Sequence, residues 1–371
     1  MKAMIRSNRQ FEHMLGLMTR GLSFCSNMPF QFPPATVVNA ALSSASASAQ
    51  TPLLFAPGAA LQAGSFAMQH LNVSPGSRCL VLTSPTGGTR AGSLLASLRR
   101  RGFAPLPLAL PDSTPAASHA SSAAGAARRA GATWVVGVGG SATIAVARGT
   151  AALLGGGSGF EVEPSGGSET PRILSLSVPF LSVPSCATGA EMARDVLLLD
   201  ASTGLNVRKV HALSKQAAIC DPNIATSLEG ESAAVVPFAL VAHALEIFLR
   251  IEGDAEARAR AWLALEMAAR ALVWVAKGDK GGGGEDARAA VSAASVLVGA
   301  GMATGPLGPA RGTALAVAAR YAIGYSAALT ALAPTASSVM LEVLLDKVEE
   351  EEEGGGGRRR LWRVMQRRGD Y

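Results

Sequence analysis

A run of glycines behind an apolar segment is the first place where this chain offers chemistry. In Thr133-Trp-Val-Val-Gly-Val-Gly-Gly-Ser-Ala-Thr143 a strand pattern runs into Gly137, Gly139, Gly140 and Ser141 and then into a helical pattern. Glycines let a backbone approach a pyrophosphate, and the amides at a helix start point at its negative charge. The other reading of the same residues is a tight structural turn. A second stretch, Val183-Pro-Ser-Cys-Ala-Thr-Gly-Ala-Glu-Met192, sets hydroxyl and thiol side chains beside a glycine. Asp200-Ala-Ser-Thr-Gly204 and Ile219-Cys-Asp-Pro-Asn-Ile224 follow it. The third is His243, within Phe238-Ala-Leu-Val-Ala-His-Ala-Leu-Glu246 on a helical pattern. Histidine exchanges protons near neutral pH, but a single one on an apolar helix face is also an ordinary packed side chain.

The elements that must carry these residues alternate in type. Cys79 to Thr83, Thr133 to Gly137 and Ile173 to Val178 read as buried strands, and Arg90 to Arg101 and Ala142 to Leu154 as helices. That alternation predicts parallel βαβ units. A short strand-like Val196 to Asp200 follows. Beyond it, Ala233 to Arg250, Ala255 to Lys277, Ala287 to Met302 and Gly312 to Leu332 are too long and Ala-rich for strands, so a helical bundle is expected. The boundaries expected are an extension and linker over 1–53, with the Ser/Ala run 42–50 as the flexible part, then a dinucleotide-binding α/β domain over 54–192. A helical domain over 193–345 and a low-complexity charged tail over 346–371 complete the chain. Gly278 to Glu285 reads as a flexible connector between helices.

Composition removes several function classes. With 371 residues, 49% of them apolar and 16% charged, the chain can bury a core and is not disordered as a whole. Its 33 Lys+Arg against 27 Asp+Glu give a net charge of +6, but much of the excess lies at the ends. Six arginines fall between Arg358 and Arg368, and Lys2, Arg6, Arg9 and Arg20 face one acid, Glu12. No nucleic-acid partner is therefore expected, and the charged tail reads as solvated. The amphipathic, acid-poor start has the composition of an organellar presequence, or of a plain extension. The cytoplasm is the expected compartment, with mitochondria the alternative. The segment from Val291 to Ala310 is interrupted by glycines, Pro306 and Pro309, and reads as buried helix and loop rather than a membrane span. Cys25, Cys79, Cys186 and Cys220 stand too far apart for a zinc ribbon or a disulfide framework.

Taken in order, the Gly-Gly-Ser after a strand, the Pro184 to Met192 segment ending in Gly-x-Glu-Met, Asp221-Pro222, and Ala242-His-Ala-Leu-Glu246 resemble the iron-containing alcohol dehydrogenase superfamily over roughly residues 54–336. Within it, Pro184 to Met192, Ala239 to Glu246 and the Leu80 to Pro85 run are most similar to the maleylacetate reductase branch. The resemblance implies a Rossmann-like α/β domain followed by an all-α domain, here with a shortened C-terminus, since 37 residues follow Pro334. It implies an enzyme using NADH or NADPH. Gly139, Gly140 and Ser141 would line the pyrophosphate, and Ser185, Cys186 and Thr188 would border the nucleotide. Thr83 and Ser84 follow the first strand, where an acid that favours NAD stands in other members, so neither NAD nor NADP is preferred.

The departures concern the metal. The superfamily's ligand positions fall here on Ala239, His243, Arg311 and Tyr325, which leaves one histidine where three or four ligands are needed. No metal is expected. A metal-free reductase of the maleylacetate type, reducing an unsaturated oxo acid in aromatic-compound catabolism, would take His243 first and Tyr325 second as proton donor. Arg311 would pair with a substrate carboxylate. Against these roles stand a capping or surface position for Arg311 and a core position for Tyr325. The competing functions are a homologue that binds nucleotide without turnover and, last, an iron-dependent alcohol dehydrogenase. A small oxo acid and a second copy of the chain in a homodimer are the expected partners, and no membrane.

Overall fold

The computed structural model describes residues 32–84, 91–111, 115–156, 175–176, 178–193, 195–200, 206–213, 215–225, 234–250, 254–276, 284–303, 308–321, 323, 325, 327–336 and 339. The presequence-like start, residues 278–283 of the expected connector and the tail 346–371 lie outside the described residues.

Trp134–Gly139 forms the central strand, β4, and all its residues are buried. It pairs in parallel with β2 (Arg78–Thr83) on one side and β6 (Phe180–Pro184) on the other. β3 (Ala104–Ala109) extends the sheet beyond β2, and β9 (Gln216–Cys220) and β1 (Leu53–Phe55) extend it beyond β6. The order is β3-β2-β4-β6-β9-β1. Pro105 and Pro107 cannot donate to a ladder, and β3 is accordingly an edge. The inner strands read as continuous apolar runs because α2 (Ala63–Leu71), α3 (Gly92–Arg100), α4 (Ala117–Arg129) and α5 (Ser141–Leu154) pack on the sheet. α5 comes close at Gly137: a Cβ there would lie 2.8 Å from the Ala147 methyl.

Three expectations are corrected. The third strand of the sheet is Phe180–Pro184, not 173–178. Of the latter segment only β5 (Ser175–Leu176) is a strand, in a separate three-stranded sheet with β8 (Asn206–Leu213) and β7 (Asp195–Asp200). Ser182 and Pro184 obscure the apolar run of β6, yet the Ser182 hydroxyl is satisfied inside the sheet by the carbonyls of Glu191 and Ala217. Because β9 joins the main sheet, the α/β unit runs past residue 192 to Cys220. The supposed linker 42–50 lies almost wholly in a helix, α1 (Ala35–Ala49), whose Val38, Leu42, Ala45 and Ala49 recur at helical spacing and are buried.

The helical part comprises α6 (Val235–Phe248), α7 (Ala255–Ala276), α8 (Gly284–Ala303) and α9 (Pro309–Tyr321). α8 is buried continuously from Ala290 to Gly301 and packs against α7, α6 and α1, which explains an apolar composition that runs all round it. No helix among the described residues is long and apolar enough to cross a membrane.

Candidate active site

From β2 the chain steps outward to β3 and then crosses back to β4, so the topological switch point lies between the carboxyl ends of β2 and β4. That is where open α/β sheets bind their ligands. The expected nucleotide residues converge there. Thr83 ends β2 and is buried, and the Ser84 amide donates to the Val138 carbonyl at 3.4 Å. Gly139 ends β4, and its carbonyl accepts from the Ser185 amide, 2.9 Å away, just beyond β6. Helix α5 starts at Ser141 with Gly140 as N-cap and no side chain bonded over its first turn, so its amides and the positive end of its dipole remain available.

The space around these glycines discriminates between them. A Cβ on Gly139 would fall 2.6 Å from Thr143, so that glycine serves the strand-to-helix turn. A Cβ on Gly140 would meet only the Cys186 Cβ at 3.7 Å, so the backbone there faces open space. Thr188 adds a buried hydroxyl with no hydrogen-bond partner among the described residues. An uncapped helix start, an open glycine and an orphaned hydroxyl fit a dinucleotide.

The turn that carries Ser185, Cys186 and Thr188 is fixed by residues that stood in the sequence without an assigned role. Arg148, on α5 and buried, lies 5.1 Å from the Phe180 ring centroid and donates to the carbonyls of Ala190 and Glu191. Glu191 accepts from the Ser295 hydroxyl of α8, and Ser295 in turn accepts from the Gly189 amide at 2.9 Å. Burial pushes the Glu191 carboxyl above its ordinary range, with the Ser295 bond and the nearby Arg148 charge offsetting part of that. Among the described residues its other oxygen and the Ser292 hydroxyl have no partner, and they border a small cavity of about 10 Å³, which also touches Pro184, Cys220 and Asp221. Asp221 is structural: its carboxylate accepts from the amides of Gly58, Ala60 and Asn223.

The catalytic candidates form a second group, where α6 meets α9. His243 is 4% exposed, and the Tyr325 hydroxyl lies 3.1 Å from its Nε2, with the two rings nearly parallel at 13°. Glu246, one turn further along α6, is equally buried. Its Oε2 lies 3.6 Å from His243 Nδ1, and its Oε1 accepts from the amides of Ala310 at 2.7 Å and Arg311 at 3.4 Å. Arg311 thus begins α9, with its side chain close enough to bond Tyr325 and to act electrostatically on both Tyr325 and His243. Burial pushes His243 below its ordinary pKa, Glu246 pulls it back, and Arg311 pushes it further down. Burial likewise raises the Tyr325 phenol, against the pull of Arg311. Both rings therefore rest neutral near pH 7. Sequence reasoning brought together His243, Tyr325 and Arg311 but passed over Glu246, whose signal was its place one turn after the histidine.

The resemblance places metal ligands at Ala239, His243, Arg311 and Tyr325. Ala239 offers no donor, Arg311 is a fixed cation, and among the described residues no group of three or more His, Cys, Asp and Glu lies together. The turn that carries Gly189 and the α6–α9 group meet the same helix. A Cβ on Gly299 of α8 would lie 2.3 Å from the Gly189 carbonyl oxygen, and one on Gly301 would lie 2.8 Å from Ile247 of α6.

Residues 51–222 match the family model of iron-containing alcohol dehydrogenase. A 4-hydroxybutyrate dehydrogenase from Cupriavidus necator is 31% identical over 139 residues, 37% of this chain. The match spans 36% of that enzyme's length. Among solved structures, an archaeal halo-thermophilic Red Sea brine pool alcohol dehydrogenase superposes with a TM-score of 0.65 at 16% identity over 86% of each chain. An iron-containing alcohol dehydrogenase from Thermotoga maritima gives 0.63 at 19% over 81% of this chain and 84% of its own. Sulfoacetaldehyde reductase from Bifidobacterium kashiwanohense, in complex with NAD+, gives 0.61 at 17% over 76% and 73%. The fold of this chain is the one these enzymes share.

Proposed function

We propose that this chain, which matches the iron-containing alcohol dehydrogenase family model over residues 51–222, is an NAD(P)H-dependent oxidoreductase that works without a bound metal ion. Its substrate class is a short oxo acid, the unsaturated maleylacetate type first, reduced to the 3-oxoadipate type as in the breakdown of aromatic compounds. The observation that carries this reading is the Tyr325 hydroxyl on His243 Nε2 beside Arg311, at positions where the resemblance puts metal ligands.

NAD(P)H would supply the hydride when bound. Gly139, Gly140 and Ser141 would hold its pyrophosphate at the α5 start, with Thr83, Ser84, Ser185, Cys186 and Thr188 around the rest of the nucleotide. Tyr325 keeps its proton until negative charge develops on the substrate, because burial has raised its pKa. It then releases that proton to the substrate atom gaining charge. Arg311 steadies the phenolate left behind, and His243 Nε2, bare at rest, takes up a proton from solvent and passes it to the phenolate. A guanidinium in that place also suits a substrate carboxylate, and 4-hydroxybutyrate carries one as maleylacetate does.

The test is NADH and NADPH oxidation by the purified protein with maleylacetate and a panel of short oxo acids, and NAD+ reduction with 4-hydroxybutyrate, alongside elemental analysis. Turnover that survives a chelator, with well under one metal ion per chain, is expected. Nucleotide binding without turnover on any substrate would leave a binding protein, and stoichiometric iron or zinc whose removal abolishes turnover would restore metal chemistry.

A further inference from the structure

Glu246 uses its two oxygens in two directions. Oε1 accepts the first free amides of α9, from Ala310 and Arg311, and so caps that helix from another element. Oε2 faces His243 Nδ1 at 3.6 Å, longer than a hydrogen bond but close enough for a carboxylate to favour a proton on that nitrogen. The fit is tight on the α9 side, where a Cβ on Gly308 would lie 2.3 Å from Oε1. At the far side of the ring, Nε2 lies 3.1 Å from the Tyr325 hydroxyl. With the proton held on Nδ1 by the facing carboxylate, Nε2 is bare and accepts from that hydroxyl.

We infer that Glu246 is a positioning residue that fixes His243 in its Nδ1–H tautomer, so that Nε2 is free to exchange protons with Tyr325. The inference rests on the reductase reading for its catalytic consequence, but the tautomer itself does not. The charged groups around the ring come from two helices, Glu246 from α6 and Arg311 from α9, and Arg250 lies near enough to both to feel their charges. Arg311 cannot replace Glu246 in this role, because a cation disfavours extra protons on the ring rather than choosing between its nitrogens.

Glu246→Gln separates this role from capping. The amide oxygen must occupy the Oε1 position, since the α9 amides are donors and need an acceptor. Its NH2 then faces Nδ1 as a donor and drives the proton to Nε2, against the Tyr325 hydroxyl. The comparable reversal of a catalytic histidine by an Asp-to-Asn change in a serine protease costs about 10⁴ in kcat. ¹⁵N NMR of histidine-labelled protein, with the His243 signals assigned through His243→Gln, should show Nδ1–H in the wild type and Nε2–H in E246Q. The kcat of E246Q should fall about a hundredfold or more with KM little changed, while its melting temperature stays near the wild-type value. Glu246→Ala, which loses the cap, should melt lower. Retention of Nδ1–H in E246Q overturns the inference whatever the turnover. A reversed tautomer with unchanged kcat overturns its link to proton delivery. A reversed tautomer in a protein without wild-type turnover sinks the reductase reading alone.

Discussion

At the residue scale, Gly139 and Gly140, between β4 and α5, make opposite predictions although they are neighbours. Gly140→Val meets only Cys186 at a distance of ordinary contact, so the protein should fold and melt as before. The branched side chain nevertheless fills the space where a pyrophosphate would lie, and NADH affinity in a fluorescence titration should fall at least tenfold, about 1.4 kcal/mol. Unchanged affinity would move the nucleotide elsewhere. Gly139→Ala collides with Thr143 instead and should lower the melting temperature first. His243→Ala removes the partner of the Tyr325 hydroxyl and should lower kcat/KM about a hundredfold or more in a protein whose circular dichroism is unchanged. A change confined to stability would reduce His243 to a packed side chain. The histidine also carries a pH signature. Its folded pKa is depressed by burial, so its neutral form contributes stability that is fully present above the unfolded value of about 6.5 and is lost as pH falls towards the folded one. Wild-type stability should decline over that window more steeply than that of His243→Gln in parallel denaturant titrations.

At the scale of elements, the turn between β6 and β7 is held from two sides, by Arg148 of α5 and by α8. Gly189 adopts a φ of 79°, and Gly299 lies against its backbone so closely that no side chain fits between them. Gly299→Ala should therefore cost about 1–3 kcal/mol as overpacking, read as a shift of the denaturant midpoint. A midpoint within error of the wild type would mean that α8 does not press on the turn. Glu191 in the same turn behaves in the opposite sense to His243. Its folded pKa is raised by burial, so its contribution is full below the ordinary carboxyl pKa and is lost as pH rises through the raised value. Glu191→Gln keeps an acceptor for Ser295 and should gain melting temperature relative to the wild type as pH rises, with the difference vanishing in acid. These elements were unequally legible in the sequence. β2, β4 and the long helices carry uninterrupted apolar or Ala/Leu patterns and could be read directly. β6 was hidden because Ser182 and Pro184 break its run, and β9 because Asp221-Pro222 drew attention to the residues after it. His243 stood out as a lone histidine on an apolar helical pattern, but Tyr325 and Arg311 were visible only through resemblance. Glu246 lay within the same matched segment, but its second bond, to α9, is a tertiary fact with no local pattern.

At the scale of the whole molecule, the helical and α/β parts are tied together by a segment whose composition looks like a linker. Residues 35–49 form α1, which packs on α8, and only Gln50, Thr51 and Pro52 separate it from β1 at the edge of the main sheet. Val38, Leu42, Ala45 and Ala49 share one core with α6, α7 and α8. Ser44 and Ser48 accept from Arg260, which is 4% exposed and otherwise bonded to Glu256. Just after the helix, the Thr51 hydroxyl receives the Gln216 amide at 2.6 Å, and the Pro52 carbonyl accepts from Ala218 of β9. Serine and alanine suffice for such a helix because its partner surface supplies the apolar burial, which is why composition alone mistook it for flexible chain. Removing α1 would expose the α8 face it covers and strip Arg260 of its two serine partners. Burial of one Val or Leu side chain is worth about 1.5–3 kcal/mol, so Val38 and Leu42 alone represent a large part of the 5–15 kcal/mol that typically holds a domain folded. A chain beginning at Pro33 should melt like the full-length protein, whereas one beginning at Thr51 should lose cooperative unfolding or melt far lower. Equal melting curves for the two would show that α1 is dispensable. If they differ as expected, any natural removal of the presequence-like start must cut before residue 35 to leave a folded protein.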